Sequence, residues 1–224
     1  MNRCQHLNNL IKKMGNMAGG GNLPKAYQAV EYLEATGTQY IDTGVKAANE
    51  LTFNAKFTTD HTPTGSGDNL ALFGARTSAS NRFFPIVLDW NMDFSYGYVS
   101  QYNRIQYQWY KNAMYDMTSF IGSNVITITR HGDYGWTYNT GTGGLFSGNV
   151  NLFMMAINSS YENRAVNIFI GKMYSGSIEQ NSDKVRDFVP CYRRRDRKPG
   201  MFDAVTKQFF TNSGTGEFIL GPET

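Results

Sequence analysis

Eight consecutive residues, Leu51–Thr58, alternate strictly: Leu51, Phe53, Ala55 and Phe57 fall on one parity, and Thr52, Asn54, Lys56 and Thr58 on the other. Successive side chains of a strand point to opposite faces, so this pattern predicts a strand with one buried face. Val166, Ile168 and Ile170, spaced around Asn167 and Phe169, predict another. Residues 150–157 are apolar on both parities at several positions, which suits a central strand covered on both sides. Clusters of Gly, Asn, Asp, Ser and Thr at 62–69, 131–135, 139–144 and 211–216 predict the turns between such strands. Many short strands joined by Gly-rich turns give an all-β chain, a sandwich or a barrel. No internal repeat stands out, which argues against a propeller or solenoid.

A chain of 224 residues buries enough surface to fold without staples, roughly 70% of what the unfolded chain exposes. Its 23 glycines, 14% aromatic and 17% charged residues suit tight turns and pleated surfaces. The two cysteines, Cys4 and Cys191, lie far apart and predict no disulfide framework. The longest purely apolar run in the body, 152–157, is far short of the ~20 residues that span a bilayer. Asn8, Asn9, Lys12 and Lys13 interrupt any signal-peptide apolar region, so secretion by its own signal is not expected.

Residues 1–18 differ from the rest. Leu7, Leu10, Ile11, Met14 and Met17 recur at helical spacing and predict a short amphipathic docking or oligomerisation arm. A helix this short needs a partner to bury its stripe. Residues 19–26, with Gly19, Gly20 and Gly21, read as a flexible linker, and 27–224 as the folded body. Charge divides the same way. Residues 1–26 carry Arg3, Lys12, Lys13 and Lys25 with no acid, a charge of +4, which leaves 17 basic against 18 acidic residues, −1, in the body. A nearly neutral body gives no indication of nucleic-acid binding.

Two constellations bear on chemistry. Asp89, Asn91 and Asp93 place oxygen donors at alternate positions, like the first half of a calcium loop. Phe94 stands where the turn glycine belongs, and no Glu follows at the required distance. Aromatic residues also fall in ladders: Phe94, Tyr96, Tyr98 and Tyr102, then Tyr107 and Trp109, then Tyr134, Trp136 and Tyr138. Such rings fill a core or an interface, or offer a platform on which sugars stack. For the platform the best candidates are Tyr107 and Trp109, with Gln106, Gln108 and Tyr110 supplying polar contacts. Residues 193–198 form a basic run that reads as a solvated turn, or as a site for an anionic polysaccharide or an acidic neighbour. His6, His61 and His131 show no zinc spacing, and neither a Gly-x-Ser-x-Gly elbow nor a phosphate-binding loop occurs. Asn158-Ser159-Ser160 matches a glycosylation sequon and is read as chance without a secretory route.

Two segments bracket the body, 27–45 and 185–218. They contain Glu31-Tyr32-Leu33-Glu34, Gln39-Tyr40-Ile41-Asp42-Thr43-Gly44, Arg186-Asp187-Phe188-Val189-Pro190-Cys191, Met201-Phe202-Asp203 and Phe209-Phe210-Thr211-Asn212. With Leu72-Phe73-Gly74-Ala75-Arg76, these strings resemble the concanavalin A-like lectin/glucanase superfamily in its LamG-like form. Similar strings recur in gut-phage virion proteins and bacterial surface proteins. The resemblance covers about residues 27–222. It implies a two-sheet antiparallel jelly roll with adjacent first and last strands, here with a short N-terminal helical arm. It also implies a surface for host glycans or protein partners, with calcium at the rim in some members. The glucanase branch carries Glu-x-Asp-x-x-Glu or Glu-x-Asp-x-Glu on one strand, and neither occurs here. Asp89 and Asp93, on one strand, would stand ~13 Å apart, too far for paired-carboxylate hydrolysis. The expectation is a non-catalytic virion component of a tailed phage, at the capsid surface or in a head or tail fibre. Its arm would bind other virion proteins or sister chains, with a trimer as the guess. The alternatives are a carbohydrate-binding module of a bacterial surface protein and, less favoured, a glycoside hydrolase.

Overall fold

The computed structural model describes residues 23–122, 125–132, 135–141 and 145–224. The docking arm assigned to residues 1–18 lies outside them. Nineteen strands run through the described residues. The first seven are β1 (Tyr27–Ala29), β2 (Leu33–Thr36), β3 (Ile41–Lys46), β4 (Leu51–Thr58), β5 (Leu70–Ser78), β6 (Asn81–Leu88) and β7 (Asp93–Val99). Then come β8 (Gln101–Gln108), β9 (Tyr115–Ile121), β10 (Val125–Arg130), β11 (Trp136–Gly141), β12 (Asn151–Met154), β13 (Ile157–Ser159) and β14 (Arg164–Val166). The last five are β15 (Ile170–Gln180), β16 (Asp183–Arg193), β17 (Lys198–Asp203), β18 (Phe209–Thr211) and β19 (Ile219–Leu220).

They form two sheets. The larger runs β11-β10-β9-β4-β15-β16-β17-β18, with β1 added on β16 and β2 bridging β15 and β19. The smaller runs β14-β13-β5-β6-β7-β8, with β12 joining β3 to β5. The pairs are antiparallel except β5 with β13, which is parallel. This is the two-layer sandwich that the alternation demands. Leu51, Phe53, Ala55 and Phe57 of β4 are all buried, as their parity predicts. Phe53 spans the layers, with its ring 5.2 Å from Phe73 on β5 and 5.9 Å from Phe83 on β6. Phe94 on β7 meets Tyr115 on β9 at 5.1 Å across the same interior.

The first and last strands of the body clasp each other. Val30 bridges Glu223, Glu31 N–H donates to Pro222 O, and Thr224 N–H to Ala29 O. The quoted strings build this closure. Gln39, buried, accepts from Thr36 N–H at 2.8 Å and donates to Glu217 O at 3.1 Å. Tyr40 N–H donates to the Asn212 side chain at 3.0 Å. Asp203 is fully buried and accepts from the backbone of Asp187 and Val205 and from Thr206, while Arg186 lies 3.7 Å away. Cys191 is buried beside them, and burial pushes its thiol up to about 12, so it stays protonated at neutral pH.

Several local expectations need correction. Residues 166–170 do not continue as one strand, because Asn167 adopts φ 51° between β14 and β15, and Phe169 rather than Ile168 goes inward. Residues 150–157 divide at Met155 (φ 68°), which lets β12 pair antiparallel and β13 parallel with the same edge of β5. Asn139 lies within β11 instead of in a turn. Truncating Phe53 to Ala removes the ring that locks the layers. It is expected to cost about 3–5 kcal/mol, read as a lower denaturant midpoint at unchanged slope.

Candidate functional site

The residues of interest collect where the two sheets stop. β11 ends the large sheet and β8 ends the small one, so each presents an edge with no further strand among the described residues. The two edges meet. Tyr107 of β8 packs on Trp136 of β11 with ring centroids 4.8 Å apart, and both approach Phe94 beneath.

A tight turn positions β8. Asp89 and Asp93 are not neighbours along one strand. They close the β6–β7 hairpin, with Asp89 N–H donating to Asp93 O and Met92 N–H to Asp89 O, and Met92 at φ 63°. The ~13 Å separation expected from an extended strand therefore does not apply. The Asp89 carboxylate is buried and engaged by protein donors. Oδ1 accepts from Asn91 N–H at 2.6 Å, and Oδ2 from Arg104 Nε at 2.8 Å and Ser95 Oγ at 3.4 Å. The Asn91 side-chain oxygen, oriented by its hydrogen-bond network, also faces the Arg104 guanidinium. A calcium ion on Asp89, Asn91 and Asp93 would have to displace this arginine. The loop resemblance thus resolves into a carboxylate–guanidinium clasp, with Arg104 also lying 5.5 Å over the Trp90 ring.

Trp109 is fully buried, with its N–H donating to Met92 O and its indole nitrogen 3.3 Å from Asp89 O. It anchors the end of β8 and is not available as a sugar platform. Phe94, Tyr96 and Tyr98 are likewise core, and of their ladder Tyr102 alone reaches solvent, at 38% exposure. Tyr107, Gln108 and Tyr110 do come together. With Asp93 they line an open hollow of about 480 Å³. Tyr110, 59% exposed, stands at its lip, while its N–H donates to the Tyr115 hydroxyl at 2.7 Å. The Gln106 side chain lies outside the described residues.

A second hollow, about 730 Å³, continues along the same edge between β8 and β11. Ser100, Gln101, Tyr102, Asn103 and Arg104 line one wall, and Tyr138 and Asn139 the other. Asn103 donates to the Tyr96 hydroxyl at 2.9 Å, which holds its amide at the mouth. Sequence reasoning singled out the Tyr102 and Tyr138 rings but missed these amides and Arg104. The signal was present in the polar run 100–104 beside an aromatic ladder. Beneath the seam, Arg130 packs over the rings of Tyr107 and Tyr115 at 5.6 and 5.4 Å and donates to the Tyr107 hydroxyl. Burial is the main cause that raises the Tyr115 phenol above its ordinary value. Arg130 Nε and the Trp136 indole nitrogen are buried with no hydrogen-bond partner among the described residues.

The basic run lies elsewhere, on the β16–β17 hairpin, and half of it is engaged. Arg193 holds Asp196 at 2.6 Å and keeps that carboxyl down at about 2. Lys198 pairs with Glu217, and Arg194 Nε donates to Tyr27 O at 3.2 Å. The described residues contain no group of three His, Cys, Asp or Glu side chains that could hold a metal. None of their helices is long and apolar enough to cross a membrane.

No family model matches the chain. A search of curated proteins finds no matching relative. Among solved structures the chain is similar to mouse laminin alpha1 chain, domains LG4-5, at 15% identity and a TM-score of 0.47. That match covers 70% of this chain and 44% of the other, so the chain spans less than half the length of that structure. Likeness at this level carries no argument about what the seam binds.

The Asp89–Arg104 clasp yields a test. Arg104→Met leaves a buried carboxylate without its cation and is expected to lower stability by about 3 kcal/mol, with partial recovery when combined with Asp89→Asn. Thermal melts of the two variants measure both effects.

Proposed function

We propose that the protein is a non-catalytic attachment module that holds a host-surface glycan in the seam between β8 and β11. The open, tyrosine- and amide-lined cleft between two sheet edges carries this reading. Tyr102, Tyr110 and Tyr138 offer ring faces, while Asn103, Gln108 and Asn139 offer both donors and acceptors at the same edge. A sugar presents a matching combination, an apolar face of C–H groups and a rim of hydroxyls. The absence of catalysis is supported by the commitments of the buried acids. Asp89 is clasped by Arg104, and Asp203 is tied to backbone donors and Thr206. Each is taken up by bonds that hold the fold together.

We further propose that the module is carried on a tailed-phage particle, at the capsid surface or in a head or tail fibre. This rests on the resemblance of the bracketing strings to gut-phage virion proteins and on the basic, apolar arm ahead of Gly19-Gly20-Gly21. A carbohydrate-binding module of a bacterial surface protein would use the same seam on a different carrier. Two measurements test the proposal. On a glycan array the intact chain is expected to bind at least one sugar, and Tyr102→Ala with Tyr110→Ala is expected to weaken it about tenfold or more while the β-sheet circular dichroism is retained. Unchanged binding in the double variant would remove the seam from the account. Mass spectrometry of purified particles is expected to find the chain, and its absence there would transfer the module to a bacterial surface.

A further inference from the structure

The seam lies at the β11 end of the large sheet, and the β16–β17 hairpin further along it differs in character. From β11 to β16 there are five strand steps, about 24 Å at ~4.8 Å each. There β1 pairs with β16, joining Tyr27 to Arg193, and the β16–β17 hairpin carries the basic run beside the root of the N-terminal segment. Ala26, Tyr27, Arg193, Arg194 and Arg195 line a hollow of about 570 Å³ at this place.

The charges here are unevenly balanced. Asp196 neutralises Arg193, and Glu217 neutralises Lys198. Arg194 spends its donors on neutral acceptors, the Tyr27 carbonyl and the Gln28 side chain. Arg197 lies 4.7 Å over the Tyr192 ring, whose hydroxyl takes up Glu223. Arg195 is 75% exposed, and its nearest carboxylate is the same Asp196 that Arg193 holds, 3.7 Å away. Lys25, exposed, adds its charge at the root.

We propose that this pole is a docking surface for an acidic polypeptide segment, so that the protein is anchored at the β16–β17 hairpin and grips its target at the β8–β11 seam. Charge complementarity names an acidic partner. Polypeptide is favoured over nucleic acid because Tyr27 and Ala26 give the hollow an apolar wall that accepts a side chain beside its charge. The proposal stands apart from the glycan reading of the seam.

The test uses the full chain and fluorescent poly-L-glutamate, with an oligodeoxythymidylate of equal charge as comparison. Poly-glutamate is expected to bind at low salt and to weaken as salt rises. Lys25→Glu with Arg195→Glu, two exposed positions outside the core, is expected to weaken it about tenfold. The charge-keeping pair Lys25→Arg with Arg195→Lys is expected to retain it. Failure of poly-glutamate to bind, equal affinity in the reversed variant, loss in the charge-keeping pair, or tighter binding of the oligonucleotide would each overturn the proposal. Glycan binding, measured on the same variants, is expected to be unmoved, so failure at the pole is told apart from failure at the seam.

Discussion

The closed interior between the two sheets constrains everything else in this protein. Each long strand turns one parity inward, and the rings of Phe53, Phe73, Phe83, Phe94 and Tyr115 meet there across the layers. Close packing of this kind makes a buried polar group without partners costly. Asp89, one of the few acids that enter, does so only with Arg104, Ser95 and the Asn91 backbone around it. Polar chemistry is thereby driven out to the places where sheets end. Both surfaces of functional interest lie outside that interior for this reason, the β8–β11 seam where two sheet edges meet and the arginine hairpin where two strands turn.

The strings that carry the family resemblance serve the closure of the fold and not a binding site. Gln39, Tyr40 and Asn212 tie the start of the body to its last turns, and Asp203 organises the turn after β17. Similar strings can therefore recur among proteins whose targets differ, because the bonds they make are internal. The edge that would meet a ligand is built from other residues, between 89 and 139, and its composition is free of those demands. The closure of the fold and the proposed glycan edge draw on different parts of the chain.

Which parts of the site could be read in advance follows from how each residue acts. Tyr107, Gln108 and Tyr110 were legible because aromatic and amide residues cluster there in sequence, and the structure gathers them at one hollow. Trp109, on the opposite parity to Gln108 and Tyr110, belongs to the core, where its indole reaches Asp89. Parity separates Trp109 from Gln108 and Tyr110 but not from Tyr107, whose ring packs against Trp136 and Arg130 at the floor of the seam. The Asp89, Asn91 and Asp93 pattern misled for a related reason. Oxygen donors at alternate positions suit a cation of either kind, and the one that arrives is Arg104, fifteen residues on in the chain.

The sequence by itself determined the all-β class and the parity of β4, because period-two alternation and turn residues act over a few neighbours; the meeting of the first and last strands came only as what the resemblance implied. The breaks at Met155 and Asn167 were beyond it, since an apolar run and a single Asn are equally compatible with continuing straight. Only the tertiary structure decided that β8 and β11 would stand side by side as sheet edges. That pairing joins Tyr102 and Asn103 to Tyr138 and Asn139. It depends on how eleven strands in one layer and eight in the other are ordered and stacked, a property of long-range contacts that no local pattern encodes.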